Sequence, residues 1–202
     1  MERLLHLFAA GGFMMYPLVL ASVAAVAIAV NRSSLYKKSR ANLALLTEKL
    51  PALLKARDFE GAAKASEQAG GSAGSLVAEA CRAATEVENI SEFLSGRAAH
   101  EAGRLKALLN YVSAIVTLSP LMGLLGTVLG MIRSFDVLSI SEGQPFAITG
   151  GVAEALVATG FGLFVAILAM LIHVWLTQWA NKLIAEIEAA ASLFLASLPS
   201  KE

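Results

Sequence analysis

The chain has 202 residues, 56% hydrophobic and only 16% charged, with a mean hydropathy of +0.65. A soluble domain of this length carries about a quarter charged residues, so a wholly water-exposed globule is excluded. Lys plus Arg equals Asp plus Glu at 16 each, but 12 of the cations and 9 of the acids fall between Arg32 and Lys106. The zero net charge is therefore an average over two unlike materials and says nothing about nucleic acid, which is not expected as a partner.

Three windows are long enough to cross a bilayer. Gly11 to Val30 and Leu108 to Ile132 contain no charge, and Gly151 to Leu176 contains one carboxylate, Glu154. Each reaches the roughly 20 apolar residues needed to span about 30 Å of hydrocarbon. Arg32, Lys37, Lys38 and Arg40 follow the first window, and Arg97, Arg104 and Lys106 precede the second. Because Lys and Arg favour the cytoplasmic side, the amino terminus is expected outside and the carboxyl terminus inside. A cleaved signal peptide would carry its basic residues before the apolar run; here they follow it, so an uncleaved anchor is expected.

The resulting division is 1–31 for the periplasmic start and first span, and 32–107 for a cytoplasmic helical segment. The second span follows at 108–132, a periplasmic loop at 133–150, the third span at 151–176 and a cytoplasmic helix at 177–202. Leu43, Leu46, Leu50, Leu53 and Leu54 share a helical face across 39–56, complicated by Pro51. A second helix begins at Arg57-Asp58 and ends before Gly70-Gly71, and a third starts near Ser75 with an interruption around 89–91. From Glu92 no strong breaker precedes Pro120, which predicts a helix running straight from the cytoplasm into the second span. The third span likewise continues as an amphipathic helix to about Leu198. The expected fold is all-α, with helices two and three extended into the cytoplasm and a small helical insert. Cys81 is the only cysteine, and a buried structural thiol is its ordinary role.

The second span is rich in residues that weaken helices: SPLMGLLGTVLGMIRSF, residues 119–135. Lipid gives apolar helices no hydrophobic reason to associate, and small residues allow the close packing that does hold them together. At 100° per residue, Val116, Pro120, Gly123, Thr127, Gly130 and Ser134 share one face. Val152, Ala155, Thr159, Gly162, Ala166 and Met170 share a face of the third span. Gly126 and Gly130 add a GxxxG pair, and Pro120 is a kink position. Either the two stripes are a seam within one chain, or they pack against further helices from other copies or a partner. Two matching stripes favour the second arrangement.

Residues 118–135, LSPLMGLLGTVLGMIRSF, and 150–167, GGVAEALVATGFGLFVAI, resemble the second- and third-span signatures of the MotA/TolQ/ExbB proton-channel family, nearest its ExbB/TolQ-like branch. Residues 56–69, ARDFEGAAKASEQA, are similar to the short helical element of that family's cytoplasmic insert. The resemblance implies an inner-membrane subunit of a homopentameric ring around two copies of a single-span ExbD/TolR-like protein, which supplies a membrane Asp. It matches Thr127 and Thr159 to pore-facing threonines, Glu154 to the glutamate of the AEALxAT run, and Pro120 and Gly123 to kink and packing positions.

The chemistry of those residues suits this role. A threonine hydroxyl donates and accepts hydrogen bonds without ionising, but it cannot hold a proton as a titrating site. The spans carry no acid at mid-membrane, where one costs several kcal/mol and is usually functional. The protonatable acid is therefore expected from a partner. One proton crossing 100 mV gains about 2.3 kcal/mol, so mechanical work needs several. Glu154 lies about 140° from Thr159 at 100° per residue; it either relays protons, bridges subunits or bonds near the outer mouth. His173 is a candidate for proton exit or a packed interfacial residue. Trp175 and Trp179 mark the cytoplasmic interface, and His100 is expected to be solvated.

No nucleotide loop, metal-ligand cluster or nucleophile–base set is visible in the sequence. GLLGTVLG lacks the Lys-Ser/Thr end of a phosphate loop. An enzyme is not expected, nor a cofactor. The competing readings are a non-conducting membrane scaffold and a MotA-like stator subunit, the latter disfavoured by three spans where that branch has four.

Overall fold

In the computed structural model, which describes residues 11–140 and 146–198, the ordered elements are seven helices: α1 Met15–Ser39, α2 Leu43–Lys55, α3 Phe59–Ala69, α4 Gly71–Ala83, α5 Ile90–Lys106, α6 Leu109–Ile140 and α7 Phe146–Ser197. No strand occurs among the described residues. Three helical stretches, beginning at Met15, Ile90 and Thr149, are long and apolar enough to cross a membrane. The chain divides into two compact units. One comprises residues up to Val30 together with Leu108–Trp175, and the other comprises Asn31–Ala107 together with the chain from Leu176.

The first unit is built from the apolar parts of α1, α6 and α7. Ala25, Val112 and Ala169 are buried together, flanked by Ile28, Ile115, Val116 and Ile172. Many of its large apolar side chains point the other way: Leu20 is 73% exposed, Leu156 68% and Leu171 65%. All the exposed large hydrophobic residues described fall within 13–30 or 111–175. A patchwork of this extent cannot face water in a stable monomer, and lipid is the solvent that removes the penalty.

The second unit is packed like a soluble domain. Leu46, Leu50 and Leu54, one turn apart on α2, are fully buried, as the leucine spacing predicts. Pro51 lies inside α2 without ending it. The carbonyl of Thr47, which loses its helical donor to the proline, belongs to an exposed residue that water can serve. Asp58 caps α3 by accepting from the Gly61 amide at 2.8 Å, and Asn89 caps α5 through the Glu92 amide. The α3–α4 junction needs two residues of positive φ, Gly70 and Gly71. At Gly71 a Cβ would collide with the backbone of Arg40 and Ala41, so only glycine lets the chain approach this closely. Helix α4 therefore starts at Gly71, four residues before the position the sequence suggests. Cys81 is buried on α4, and burial pushes its thiol up to about 12.

The expected continuous helix from Glu92 into the second span does not form. It is interrupted at Ala107–Leu108, where Leu108 adopts φ +68°. Two side chains from α1 serve the carbonyls freed at the end of α5. Arg32 donates to the Arg104 carbonyl at 3.0 Å, and the Tyr36 hydroxyl donates to the Leu105 carbonyl at 2.8 Å. Burial pushes the Tyr36 phenol up from its ordinary value, partly offset by the nearby Arg32 charge, so it remains a donor. Its ring meets Trp179 edge-on at 5.6 Å, giving that tryptophan a packing partner where the sequence suggested only an interfacial marker.

Candidate functional site: a hydroxyl-bearing helix seam

The small residues of α6 and α7 meet each other. A Cβ built on Gly162 would lie 2.7 Å from the Ser119 carbonyl oxygen and 2.9 Å from the Gly123 Cα. One built on Gly123 would lie 3.1 Å from the Thr159 Cα. Further along, Gly130 abuts Gly151 and Ala155, and Gly126 abuts Ala158 and the Met14 side chain of the segment leading into α1. Backbones this close leave no room for larger side chains, which is how helices gain dispersion contact where no hydrophobic force drives them together. Ala155 and Ala166 are buried along the same surface. The two stripes read from the sequence are thus largely turned towards one another within one chain, with Met170 at the far end exposed.

The hydroxyls on this seam are directed at backbone carbonyls. Thr159 Oγ1 donates across the helices to the Gly123 carbonyl at 2.9 Å. Thr127 Oγ1 donates within its own helix to the Leu124 carbonyl at 2.6 Å, in an exposed setting. Ser119 and Ser134 are buried and return their protons to Ile115 and Gly130. Each oxygen keeps lone pairs able to accept a further proton donor. Pro120 is half-buried inside α6, which runs through it unbroken; the Val116 carbonyl has no amide donor at position 120.

Glu154 keeps different company from Thr159. Its carboxylate accepts from Arg133 Nη1 at 3.0 Å, and the acid is much less exposed than the arginine. Beneath it lies Gly12, with φ +65°, where any Cβ would overlap the Glu154 carboxyl group. The three spans therefore converge on this one charge: Gly12 before α1, Arg133 on α6 and Glu154 on α7. Sequence reasoning passed over Arg133 and Gly12. The available signal was that Arg133 is the first charge after the second span and Glu154 the only charge in the third span window, at either end of one short connection.

His173, on α7, has a buried Nδ1 without a hydrogen-bond partner among the described residues. His100 is exposed on α5, as a solvated residue should be. Among the described residues no group of His, Cys, Asp or Glu is arranged to hold a metal ion.

Comparison with known proteins bears on the same segments. A model of the MotA/TolQ/ExbB proton channel family matches residues 64–189, which run from α3 to late in α7. The chain is 31% identical over 166 residues to the biopolymer transport protein ExbB-like 3 of Synechocystis sp., covering 80% of this chain and 79% of that one. It is 32% identical over 116 residues to the Tol-Pal system protein TolQ of Pseudomonas aeruginosa, covering 57% of this chain and 50% of TolQ. Against the ExbB of Salmonella typhimurium it is 41% identical over 64 residues, about a third of this chain and a quarter of the other. The family is one of proton channels rather than enzymes. With more than half of its residues matched, among them both small-residue helices, the chain belongs to the MotA/TolQ/ExbB proton channel family, on its ExbB/TolQ side.

Proposed function

We propose that this chain is a proton-conducting subunit of an inner-membrane motor that converts proton-motive force into work in the periplasm or at the outer membrane. Copies of it form a ring, five by family precedent, around two single-span helices of an ExbD/TolR-like partner. The amino terminus faces the periplasm, the 32–107 segment and the carboxyl end face the cytoplasm, and the helix of the third span extends past the bilayer on that side.

The observation that carries this reading is a seam with hydroxyls and no acid. Thr127 and Thr159 offer neutral proton-passing oxygens, and the one acid of the third span, Glu154, stands apart from them beside Arg133. A channel of this composition conducts only when a second chain brings a carboxylate to it. The Thr127 hydroxyl, bonded within its own helix and not across the seam, is the better placed of the two to meet such a helix. His173, with its unpartnered nitrogen, is a candidate for the exit side.

The scaffold reading has one observation in its favour: the stripes are largely consumed by contacts inside the chain. The two readings separate experimentally. For a channel, Thr127→Val and Thr159→Val keep the oligomer intact while lowering proton uptake by proteoliposomes about tenfold or more, the scale on which a positioned proton-transfer group acts. Full uptake in both variants overturns it. For a scaffold those substitutions are silent. Co-purification of a single-span protein with an Asp in its span is the companion result.

A further inference from the structure

We propose that Arg133 is a positioning residue of the proton path, holding the Glu154 carboxylate over the Gly12 turn as a charge-paired latch at the outer end of the α6–α7 seam. This rests on the proton-channel reading and adds to it an entry point within this chain.

Three observations converge. First, Arg133 Nη1 and Glu154 Oε1 form an ion pair at 3.0 Å within the membrane unit, joining α6 to α7. Second, the carboxyl group occupies the space that a side chain at position 12 would need, and Gly12 has the positive φ that favours glycine. The pair is thus seated against the chain entering the first span and does not hang free from a loop. Third, a cavity of about 10 Å³ lies beside the pair, bounded by Gly11, Met14, Gly126 and Leu129. That is the least volume a single water needs, and Gly126 is itself part of the seam.

The geometry supports a simple exchange. A proton arriving from the outer solution adds to the Glu154 carboxylate, which becomes a neutral acid and releases the Arg133 guanidinium to water. Arg133 is 60% exposed along its side chain and can hydrate without rebuilding the bundle, whereas Glu154 at 25% cannot. When the guanidinium returns, the carboxyl group gives its proton to the adjoining water and onward to the seam, and the ion pair re-forms. The charged and titratable groups on the facing elements are Arg133 and Asp136 of α6 and Tyr16 of α1; of these Arg133 makes the ion pair with Glu154.

The test is proton uptake under a membrane potential by proteoliposomes holding the complex with its co-purified partner, together with its thermal midpoint in detergent. Arg133→Gln and Glu154→Gln should each lower uptake about fivefold, the scale of a partly exposed ion pair, with the midpoint little changed. The double variant should be no slower than either alone, and Arg133→Lys should restore uptake. Gly12→Ala, which forces the carboxyl group off the turn, should resemble Glu154→Gln. Uptake at the wild-type rate in Arg133→Gln overturns the proposal. So does a loss of uptake that follows the midpoint and is cured in the neutral double variant, because that marks a structural pair. A wild-type complex that takes up no protons sinks the channel reading instead, and this one with it.

Discussion

The two units of this chain solve the packing problem with opposite materials. In the unit of residues 31–107 and the chain from Leu176, bulky side chains go inward: Tyr36, Leu46, Leu50, Leu54, Leu94, Leu183, Ile187 and Phe194 are all fully buried. Most charges stay outside, where Lys64–Glu60, Arg82–Glu67 and Arg97–Glu79 pair at the surface, while Arg32 is buried against the end of α5. In the membrane unit most of the bulky residues face outward, and the glycines Gly123, Gly126, Gly130 and Gly162 form the closest interior contacts. Water rewards the burial of large apolar groups; lipid does not, so cohesion there depends on how closely backbones approach. Within helices, a glycine is accordingly worth more at the seam than at exposed positions such as Gly96 and Gly103.

The sharpest way to break that contrast is to enlarge a seam glycine. Gly162→Leu must displace the Ser119 and Gly123 backbones, and it should cost more than the roughly 3 kcal/mol at the top of ordinary overpacking. Loss of the folded peak to aggregate in size-exclusion chromatography would follow; an unchanged elution profile would mean the seam is not tight. In the other unit the opposite change is damaging. Leu50→Ala empties a fully buried site and should lower stability by about 2–5 kcal/mol, read from chemical unfolding of the insert helices by far-UV circular dichroism.

Cys81 gives a pH-dependent probe of the same unit. Its thiol ionises near 9 in an unfolded chain but only at about 12 when buried. Because the folded value is the raised one, its contribution to stability is fully present below pH 9 and is lost as the pH rises towards 12. Unfolding midpoints should fall across that window in the parent protein and less so in Cys81→Ser. Native protein at pH 8 should also resist thiol reagents. The smallest effect is expected at Gly103, exposed within α5 with open space around a would-be Cβ. Gly103→Ala should raise stability by about 0.5–1 kcal/mol, the reverse of any substitution at Gly162.

Much of this was legible beforehand because membrane thickness and helical periodicity act on residues near in sequence. The three apolar stretches, the leucine face of α2 and the two stripes of small residues follow from composition and a 100° step. The glycine turn before α4 was visible too, although its consequence, an earlier helix start, depended on how closely Arg40 approaches Gly71.

What remained hidden turns on residues far apart in the chain. No local rule breaks a helix at Leu108, a residue with ordinary helical preference. The break exists together with Arg32 and Tyr36, some 70 positions earlier, which supply the donors that the end of α5 requires. Nor does the sequence say that Glu154 seeks Arg133 across the connection and rests on Gly12, because a wheel gives the angle of a side chain and not its partner. By itself the sequence determined which segments are apolar, which faces are small and which family signatures they carry. The tertiary structure decided that the small faces close on each other, where helix two is interrupted and what neutralises the one acid of the third span. Those depend on which backbones come within contact distance, a condition set jointly by residues tens of positions apart and, at Gly12 and Glu154, more than a hundred.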